Sequence, residues 1–180
     1  MAMLEASLDE VAKRMLPGDP IFFGKLGWLK VPTHVATVSH NNGRPIITEA
    51  MFFKGVYETP LEVAMKRMGR RGRCWWIPLK IFDLTKRVKG QKWLKEQVGK
   101  DYDWDAWLKS LVGVGVEENY DALMCLEVSV GCLKAADLVP EDVNPAEMDT
   151  MEMCELLRDQ KLVEDYYQIL GKPRGLSWLE

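Results

Sequence analysis

VPTHVATVSHNNGRPIITEAM, which is residues 31–51 of this chain, places a turn signal between two segments of strand-like pattern. Residues 31–39 alternate in polarity and are rich in β-branched side chains, as a half-buried strand is. The Asn-Asn-Gly triplet at 41–43 favours a tight turn, because Asn and Gly adopt left-handed backbone angles readily. Residues 45–51 continue as a second strand. The pattern predicts a β-hairpin.

The register of this hairpin decides how His34 and Glu49 are placed. With residues 41–42 as the turn, position 34 pairs directly with position 49. With residues 42–43 as the turn, His34 pairs with Met51, and Glu49 becomes its diagonal neighbour on the same face. Both registers project the imidazole and the carboxylate from one face, and a three-residue loop would break this parity. A carboxylate beside an imidazole holds its tautomer and stabilises its protonated form.

The rest of the chain adds strands and helices around the hairpin. Hydrophobic spacing and breaker residues predict helices over residues 3–15, 59–68, 85–98 and 120–138, one or two more within 148–170, strands over 20–23 and 74–81, and a loose tail over 171–180. Strands gathered in the first half and helices in the second predict an α+β fold. With 180 residues, 47% of them hydrophobic, a single domain is expected.

Composition narrows the class of protein. The formal net charge of −3 gives no general reason to expect nucleic-acid binding, and no apolar run is long enough to cross a membrane. Acidic residues interrupt the first 15 positions, which do not resemble a signal peptide, so a cytoplasmic location is expected. The four cysteines lack CxxC spacing and are expected to be reduced thiols, with no disulfide, metal or cofactor.

Charge is unevenly distributed along the chain. Residues 66–100 hold half of the 24 lysines and arginines but only two acidic residues, Asp83 and Glu96. This basic segment is either one of two complementary solvated faces within a single fold, or a rim that attracts an anionic ligand, a membrane surface or a nucleic acid.

Cys125 is the candidate nucleophile. It lies near the start of the predicted 120–138 helix, with Asn119 and Asp121 as candidate caps, and unpaired N–H groups at a helix start stabilise a thiolate. The same groups can stabilise an oxyanion when a carbonyl is attacked. A nucleophilic thiol also needs an imidazole, and the chain has only two histidines, His34 and His40, of which His40 adjoins the turn.

Each candidate also has a purely structural interpretation. Cys125 can be a small apolar core residue, and His34 a structural histidine with satisfied hydrogen bonds. Glu49 can be a charge at a strand edge. Tyr102 and Tyr120 are candidates for the wall of a substrate cleft, and packing aromatics are the alternative.

Several short motifs occur together in an order that resembles a known family. They are PGDPIF at 17–22, THVATV at 33–38, TEA at 48–50, GKDYD at 99–103, CLEV at 125–128 and LVPED at 138–142. In this order the chain resembles the circularly permuted papain-like cysteine hydrolases, the YiiX-like branch of the NlpC-type superfamily, which is related to lecithin retinol acyltransferase. The resemblance covers residues 16–143.

The resemblance implies a permuted papain-like fold, in which an antiparallel sheet packs against the helix that carries the nucleophile. Residues 1–15 would then be an N-terminal helix, and 144–180 a helical extension and tail. It also implies that Cys125 is the nucleophile, His34 the base and later the acid, and Glu49 the residue that orients the imidazole. Leu126 departs from the serine that usually follows the family's cysteine.

The function expected from the resemblance is thiol-dependent cleavage of an amide, ester or thioester bond through an acyl-enzyme. A small peptide or acyl compound would be the substrate, with a cell-wall peptide or a lipid as possible sources, and neither nucleic acid nor integral membrane association is expected. Two alternatives stay open, a catalytically silent binding module on the same scaffold and a protein that associates with membranes or nucleic acid through residues 66–100. The oligomeric state is not predicted.

Overall fold

Residues 3–25, 32–68, 72–81, 83–111, 122–163 and 165–170 are described in this computed structural model. The described residues form a seven-stranded sheet with helices, which confirms the α+β class. The strands are β1 Met3–Ser7, β2 Pro20–Lys25, β3 His34–Asn41, β4 Arg44–Met51, β5 Gly55–Thr59, β6 Gly72–Trp76 and β7 Tyr166–Leu170. The helices are α1 Leu8–Ala12, α2 Leu61–Met68, α3 Leu84–Gln97, α4 Trp104–Leu111, α5 Cys125–Ala135 and α6 Thr150–Asp159, with a 3-10 turn at Pro145–Glu147.

The strands follow the order β1-β7-β6-β2-β3-β4-β5 across the sheet. β1 and β7 are parallel, and the other neighbouring pairs are antiparallel. The sheet is therefore mixed. Strands β3 and β4, which carry His34 and Glu49, are antiparallel as predicted, and the parallel β1–β7 pair was not predicted. Its parallel pair joins strands from distant parts of the chain, so no local pattern indicates it.

The central hairpin has the second of the two predicted registers. Thr37 pairs with Thr48, and Asn41 pairs with Arg44 across the turn. The two turn residues, Asn42 and Gly43, have φ angles of 50° and 75°. Positive φ at both positions defines the type I′ turn that suits the twist of a hairpin. Turn chemistry has thus set the pairing, and with it the faces on which the strand side chains lie.

Helices cover both faces of the sheet. Alternation along the strands sends Phe23 and Ala36 into a core with α1 and α2, and sends Phe22 and Val35 into a core with α5 and α6. α3 packs on the far side of α5, where a Cβ atom at Gly131 would lie 2.4 Å from the Trp93 ring. Because a glycine occupies that position, the two helices approach closely and hold α5 between α3 and the sheet.

The two ends of the described chain differ from their predictions. Instead of one helix over 3–15, the chain forms β1 followed by the short helix α1, which begins where the Ser7 hydroxyl accepts from the backbone N–H of Glu10. Of the one or two helices predicted within residues 148–170, α6 is present, and residues 166–170 form β7 between β1 and β6. Both strands belong to the same sheet as the predicted 16–143 core, and the tail at 171–180 lies outside the described residues.

In the middle of the chain, two predicted helices agree with the structure, and one helix and one strand have different bounds. The predictions over 59–68 and 85–98 are confirmed by α2 and α3, the latter capped by the Asp83 carboxylate. The predicted 120–138 helix starts later, at Cys125, and its proposed caps lie outside the described residues. The strand predicted over 74–81 ends at Trp76.

Asp19, within the PGDPIF motif, is a buried connection between β2 and its neighbours. Its carboxylate accepts from the Trp76 indole N–H at 3.0 Å, from the Leu79 backbone N–H at 3.1 Å and from the Arg87 guanidinium at 2.9 Å. Arg87 also donates to the Pro17 carbonyl at 2.7 Å. One paired carboxylate therefore ties β2, the segment after β6 and α3 together.

Candidate active site

The structure brings the side chains of His34 and Glu49 into contact. Nε2 of His34 lies 2.8 Å from Oε2 of Glu49. The Glu49 side chain is fully buried, while 17% of the His34 side chain is exposed. Because Glu49 occupies one ring nitrogen, Nδ1 is left to face a nucleophile.

Cys125 is the first residue of α5, directly after its N-cap residue Met124. The Glu127 carboxylate reaches back and accepts from the Met124 backbone N–H at 2.6 Å, which fixes the start of the helix. The sulfur is hydrogen-bonded to the His34 side chain and accepts from the backbone N–H groups of Val35 and Leu126. The thiol is therefore held at the positive end of a helix with an imidazole beside it.

A gap in the sheet accommodates the sulfur. The ladder between β3 and β4 runs from the Asn41–Arg44 pair at the turn to the Thr37–Thr48 pair, and Val35 lies beyond its end. The Val35 N–H, which lies past the last residue of β3 that pairs with β4, donates to the Cys125 sulfur. The place where the two strands separate is therefore the place where the start of α5 enters.

A buried hydrogen bond holds α5 against the hairpin. Oγ1 of Thr37 donates to Oγ of Ser129 at 2.9 Å, although the residues are 92 apart in sequence. Thr37 and Val35 share the face of β3 that packs on α5, whereas His34 belongs by alternation to the opposite face. As the first residue of β3, His34 can meet the thiol around the end of the strand.

The electrostatics of the pair favour its charged form. Burial lowers the pKa of His34, but the neighbouring Cys125 sulfur and the Glu49 carboxylate outweigh burial and raise it to about 9. Burial raises the pKa of Cys125, but the His34 charge and hydrogen bond, with the two backbone N–H groups, bring it below its ordinary value. A thiolate and an imidazolium are therefore mutually stabilised.

The other three cysteines provide the comparison. Burial raises the pKa of Cys132 to about 12 and that of Cys154 to about 11, and it raises the pKa of Cys74 as well. None of these three has a histidine among the groups that shift its pKa. Cys125 is thus the cysteine whose surroundings favour the nucleophilic thiolate.

Arg67 is a part of the site that no sequence pattern indicated. It comes from the last turn of α2, and its Nη2 donates to Oε1 of Glu49. Its Nη1 donates to the hydroxyl of Tyr57, which stands directly opposite Glu49 on β5. The available signal was the basic segment 66–100, but charge alone cannot tell which arginine reaches a buried carboxylate.

A cavity of about 380 Å³ opens beside the thiol. Its lining is mostly apolar and comprises Phe23, Thr33, His34, Ala50, Met51, Phe52, Arg67, Tyr102, Met124, Cys125, Leu126, Ala146 and Met148. Tyr102, a predicted candidate for the wall of a substrate cleft, is part of this lining. Tyr120, the other candidate, lies outside the described residues. His40 does not line this cavity, and its Nε2–H donates to the Met15 carbonyl at 3.2 Å.

Aromatic rings continue the cavity wall toward solvent. Tyr102 stacks on Phe52 with ring centroids 4.6 Å apart, and Trp104 meets Phe52 edge-on at 4.6 Å. Phe53 lies against Trp104 at 5.2 Å and is 91% exposed. The row offers flat apolar surface from the cavity to the protein exterior.

Three cations of the basic segment 66–100 form ion pairs with carboxylates elsewhere in the described chain. Arg87 pairs with buried Asp19, Lys89 pairs with Asp137 at 2.6 Å, and Arg67 pairs with Glu49. These contacts favour the interpretation in which complementary charges meet within the fold. No described helix is long and apolar enough to cross a membrane.

Neither a family model nor a curated protein matches this chain. Among solved structures, the chain is similar to the metalloprotein YiiX from Escherichia coli O157:H7, with a TM-score of 0.52 and 17% identity over 87% of this chain and 89% of that one. At this identity the similarity concerns the fold. It fits the papain-like fold that the ordered motifs predict.

Proposed function

We propose that this protein is a thiol-dependent hydrolase that cleaves an amide or acyl bond through a Cys125 acyl-enzyme. The observation that carries the proposal is the chain of hydrogen bonds from the Cys125 sulfur to His34 and from His34 to buried Glu49. Nucleophile, base and orienting carboxylate are the three parts that covalent catalysis by a thiol requires. They meet at the wall of a cavity large enough for a small substrate.

The first half-reaction is acylation. The Cys125 thiolate attacks the substrate carbonyl, and the N–H groups at the start of α5 are placed to stabilise the developing oxyanion. The His34 imidazolium then gives its proton to the leaving amine or alkoxide, and the carbon–heteroatom bond breaks. The product is a thioester between Cys125 and the acyl group.

The second half-reaction is deacylation. His34, now neutral, takes a proton from a water molecule that attacks the thioester carbonyl. Collapse of the intermediate releases the carboxylic acid, and the thiolate–imidazolium pair is restored. Glu49 stays ionised throughout and stabilises the imidazolium whenever it forms.

The order of the residues supports circular permutation. In papain-like enzymes the cysteine precedes the histidine and the third polar residue along the chain. Here His34 and Glu49 come first and Cys125 last, while the thiol still lies at a helix start facing a strand imidazole. We therefore include a permuted connectivity in the proposal.

The cavity favours a substrate with an apolar part. Among the described residues its lining holds no Asp or Glu, and the permanently charged side chain among them is that of Arg67. The aromatic row beside Tyr102 offers a surface for a planar or apolar group next to the reacting carbonyl. A small peptide or acyl compound without a cation near the reacting bond fits this lining best.

Site-resolved alkylation tests the proposal directly. Iodoacetamide labelling of each cysteine is measured by mass spectrometry from pH 5 to 9. In the wild-type protein we expect Cys125 to react well below pH 7, and in His34→Ala we expect that acid-side reaction to disappear. Reaction of Cys125 only near the ordinary thiol pKa of about 8.5, unchanged by the variant, would instead favour a binding module on this scaffold.

A metal site is a second interpretation, since YiiX is named a metalloprotein. Cys125 and His34 are both good ligands for zinc, but they supply two donors where catalytic zinc sites use three. Glu49 is engaged by His34 and Arg67, and the described residues hold no group of three or more potential ligands placed for a metal ion. The donor set therefore does not fit a resident metal.

Chelation separates the two interpretations. If the thiol mechanism is right, incubation with EDTA followed by gel filtration leaves the rate of Cys125 alkylation unchanged. Alkylation that accelerates after chelation, together with zinc in the untreated protein by elemental analysis, would favour a metal-bound thiolate. Cys154, which lies on α6, is the internal control for general effects on the fold.

A further inference from the structure

Glu49 is a buried carboxylate that contacts two cationic side chains, those of His34 and Arg67. Its side chain is fully buried, and burial acts to raise its pKa. His34 and Arg67 outweigh burial and hold the pKa of Glu49 below its ordinary value. His34 contacts Oε2 and Arg67 contacts Oε1, so each carboxylate oxygen has its own partner.

Arg67 is itself held at a second point. Its Nη1 donates to the Tyr57 hydroxyl, and Tyr57 is the direct cross-strand partner of Glu49. Burial and the nearby Glu49 carboxylate raise the pKa of Tyr57 to about 12, so the phenol stays neutral and can accept this hydrogen bond. A guanidinium spans two acceptors in one plane, which a lysine ammonium cannot do in the same way.

We propose that Arg67 is a positioning residue that acts on His34 through Glu49, with Tyr57 fixing the guanidinium. The inference rests on the proposed function, because positioning matters only if His34 activates Cys125. Arg67 keeps Glu49 ionised and keeps Oε2 turned to the imidazole. The titratable groups that act on Glu49 are His34 from β3, Arg67 from α2 and Tyr57 from β5, with Cys125 of α5 beyond His34.

The expected signature is confined to acid pH. In Arg67→Met, burial is opposed by one cation fewer, so Glu49 takes up a proton at a higher pH than in the wild type. Once Glu49 is neutral, the imidazolium loses its partner and less Cys125 is thiolate. We expect Cys125 alkylation at pH 6 to fall about tenfold, the effect of one pKa unit, while rates near pH 9 converge with the wild type.

A merely structural role for Arg67 would have a different effect, because a loosened site would lower the rate at every pH. Arg67→Lys restores the charge but not both hydrogen bonds, and we expect an intermediate rate at pH 6. Tyr57→Phe removes one anchor of the guanidinium and should give a smaller loss in the same pH range. Arg73→Met is the matched control, because Arg73 donates to Gln168 and not to Glu49.

The experiment is the alkylation profile of Cys125 from pH 5 to 9 in these four variants, with thermal unfolding as the check on folding. The inference is overturned if the Arg67→Met profile superimposes on that of the wild type. It is also overturned if the alkylation rate falls by the same fold at every pH. If Arg67→Met does not fold, Arg67→Lys decides, and a wild-type profile for it overturns the inference. A wild-type Cys125 without acid-side reactivity would overturn the proposed function itself, which is a distinguishable result.

Discussion

His34 and Glu49 are hydrogen-bonded at 2.8 Å although they are diagonal and not direct partners across the β3–β4 hairpin. The direct partner of Thr37 is Thr48, and the ladder ends before it reaches His34. Diagonal neighbours on one face are within reach of long side chains such as Glu and His. The type I′ turn at Asn42 and Gly43 therefore sets the contact between His34 and Glu49.

Glu49→Gln should make the protonated form of His34 less stable, because the negative charge beside it is removed. The shape of the side chain stays almost the same. The amide oxygen can accept from His34 or from Arg67, but the amide N–H groups cannot replace the other carboxylate oxygen. We expect the acid limb of Cys125 alkylation to move toward the ordinary thiol pKa of about 8.5. Glu58→Gln on β5 is the matched control, and an equal shift in both variants would contradict a specific role for Glu49.

The pH dependence of turnover should differ from that of alkylation. Folding raises the pKa of His34 from 6.5 to about 9, so the stability contributed by its proton is complete below pH 6.5 and is lost as pH rises through about 9. Alkylation needs only the thiolate and should not decline at alkaline pH. Hydrolysis also needs the imidazolium as acid, so we expect kcat/KM for an amide substrate to fall near pH 9. A hydrolysis profile that keeps rising past pH 10 would contradict this assignment of the acid.

The Thr37–Ser129 hydrogen bond should contribute measurably to the docking of α5. Thr37→Val and Ser129→Ala each leave one buried hydroxyl without its partner, which costs about 1–3 kcal/mol. The double variant removes both hydroxyls and should lose less free energy of unfolding than the sum of the two. Urea denaturation of the four proteins gives the coupling energy, and strictly additive losses would show that the two hydroxyls do not stabilise each other.

Gly55→Ala should be more destabilising than Gly43→Ala. Both glycines have positive φ, 66° and 75°, and the left-handed region costs another residue about 1–2 kcal/mol. A Cβ at Gly55 would lie 2.0 Å from the Lys100 carbonyl oxygen, whereas one at Gly43 has nothing within 4 Å. We expect a further loss of about 1–3 kcal/mol at Gly55 from this overlap, measured by urea unfolding. Equal losses would mean that the Lys100 segment moves aside freely.

Local patterns were sufficient to predict the hairpin that carries His34 and Glu49. The Asn-Gly turn and the alternation of residues 31–39 each act within a few positions, and each corresponds to an element of the structure. The start of α5 was less accessible to sequence reasoning, because its N-cap is Met124 and the hydrogen bond that fixes it comes from Glu127. A methionine is not a recognised cap, so the predicted helix was extended too far.

Long-range contacts account for what sequence reasoning missed. β1 is stabilised as a strand by pairing with β7. No local signal in either segment predicts this pairing. The contacts of Arg67 likewise depend on how α2 packs against the sheet. The ordered motifs indicated the candidate residues Cys125, His34 and Glu49. They did not indicate that the β3–β4 ladder ends before Val35, because strand pairing is known only from the structure.

The gap between β3 and β4 has a consequence for biosynthesis. The ribosome releases the hairpin that carries the imidazole and its carboxylate well before the segment that carries Cys125, because chains emerge from the N-terminus. A thiol outside this gap has no imidazole, helix start or Val35 N–H to lower its pKa, and it reacts as an ordinary cysteine does. If Cys125 has the proposed role, its reactivity is therefore acquired only when α5 docks against the hairpin, and an incompletely folded copy carries a thiol that is not yet activated.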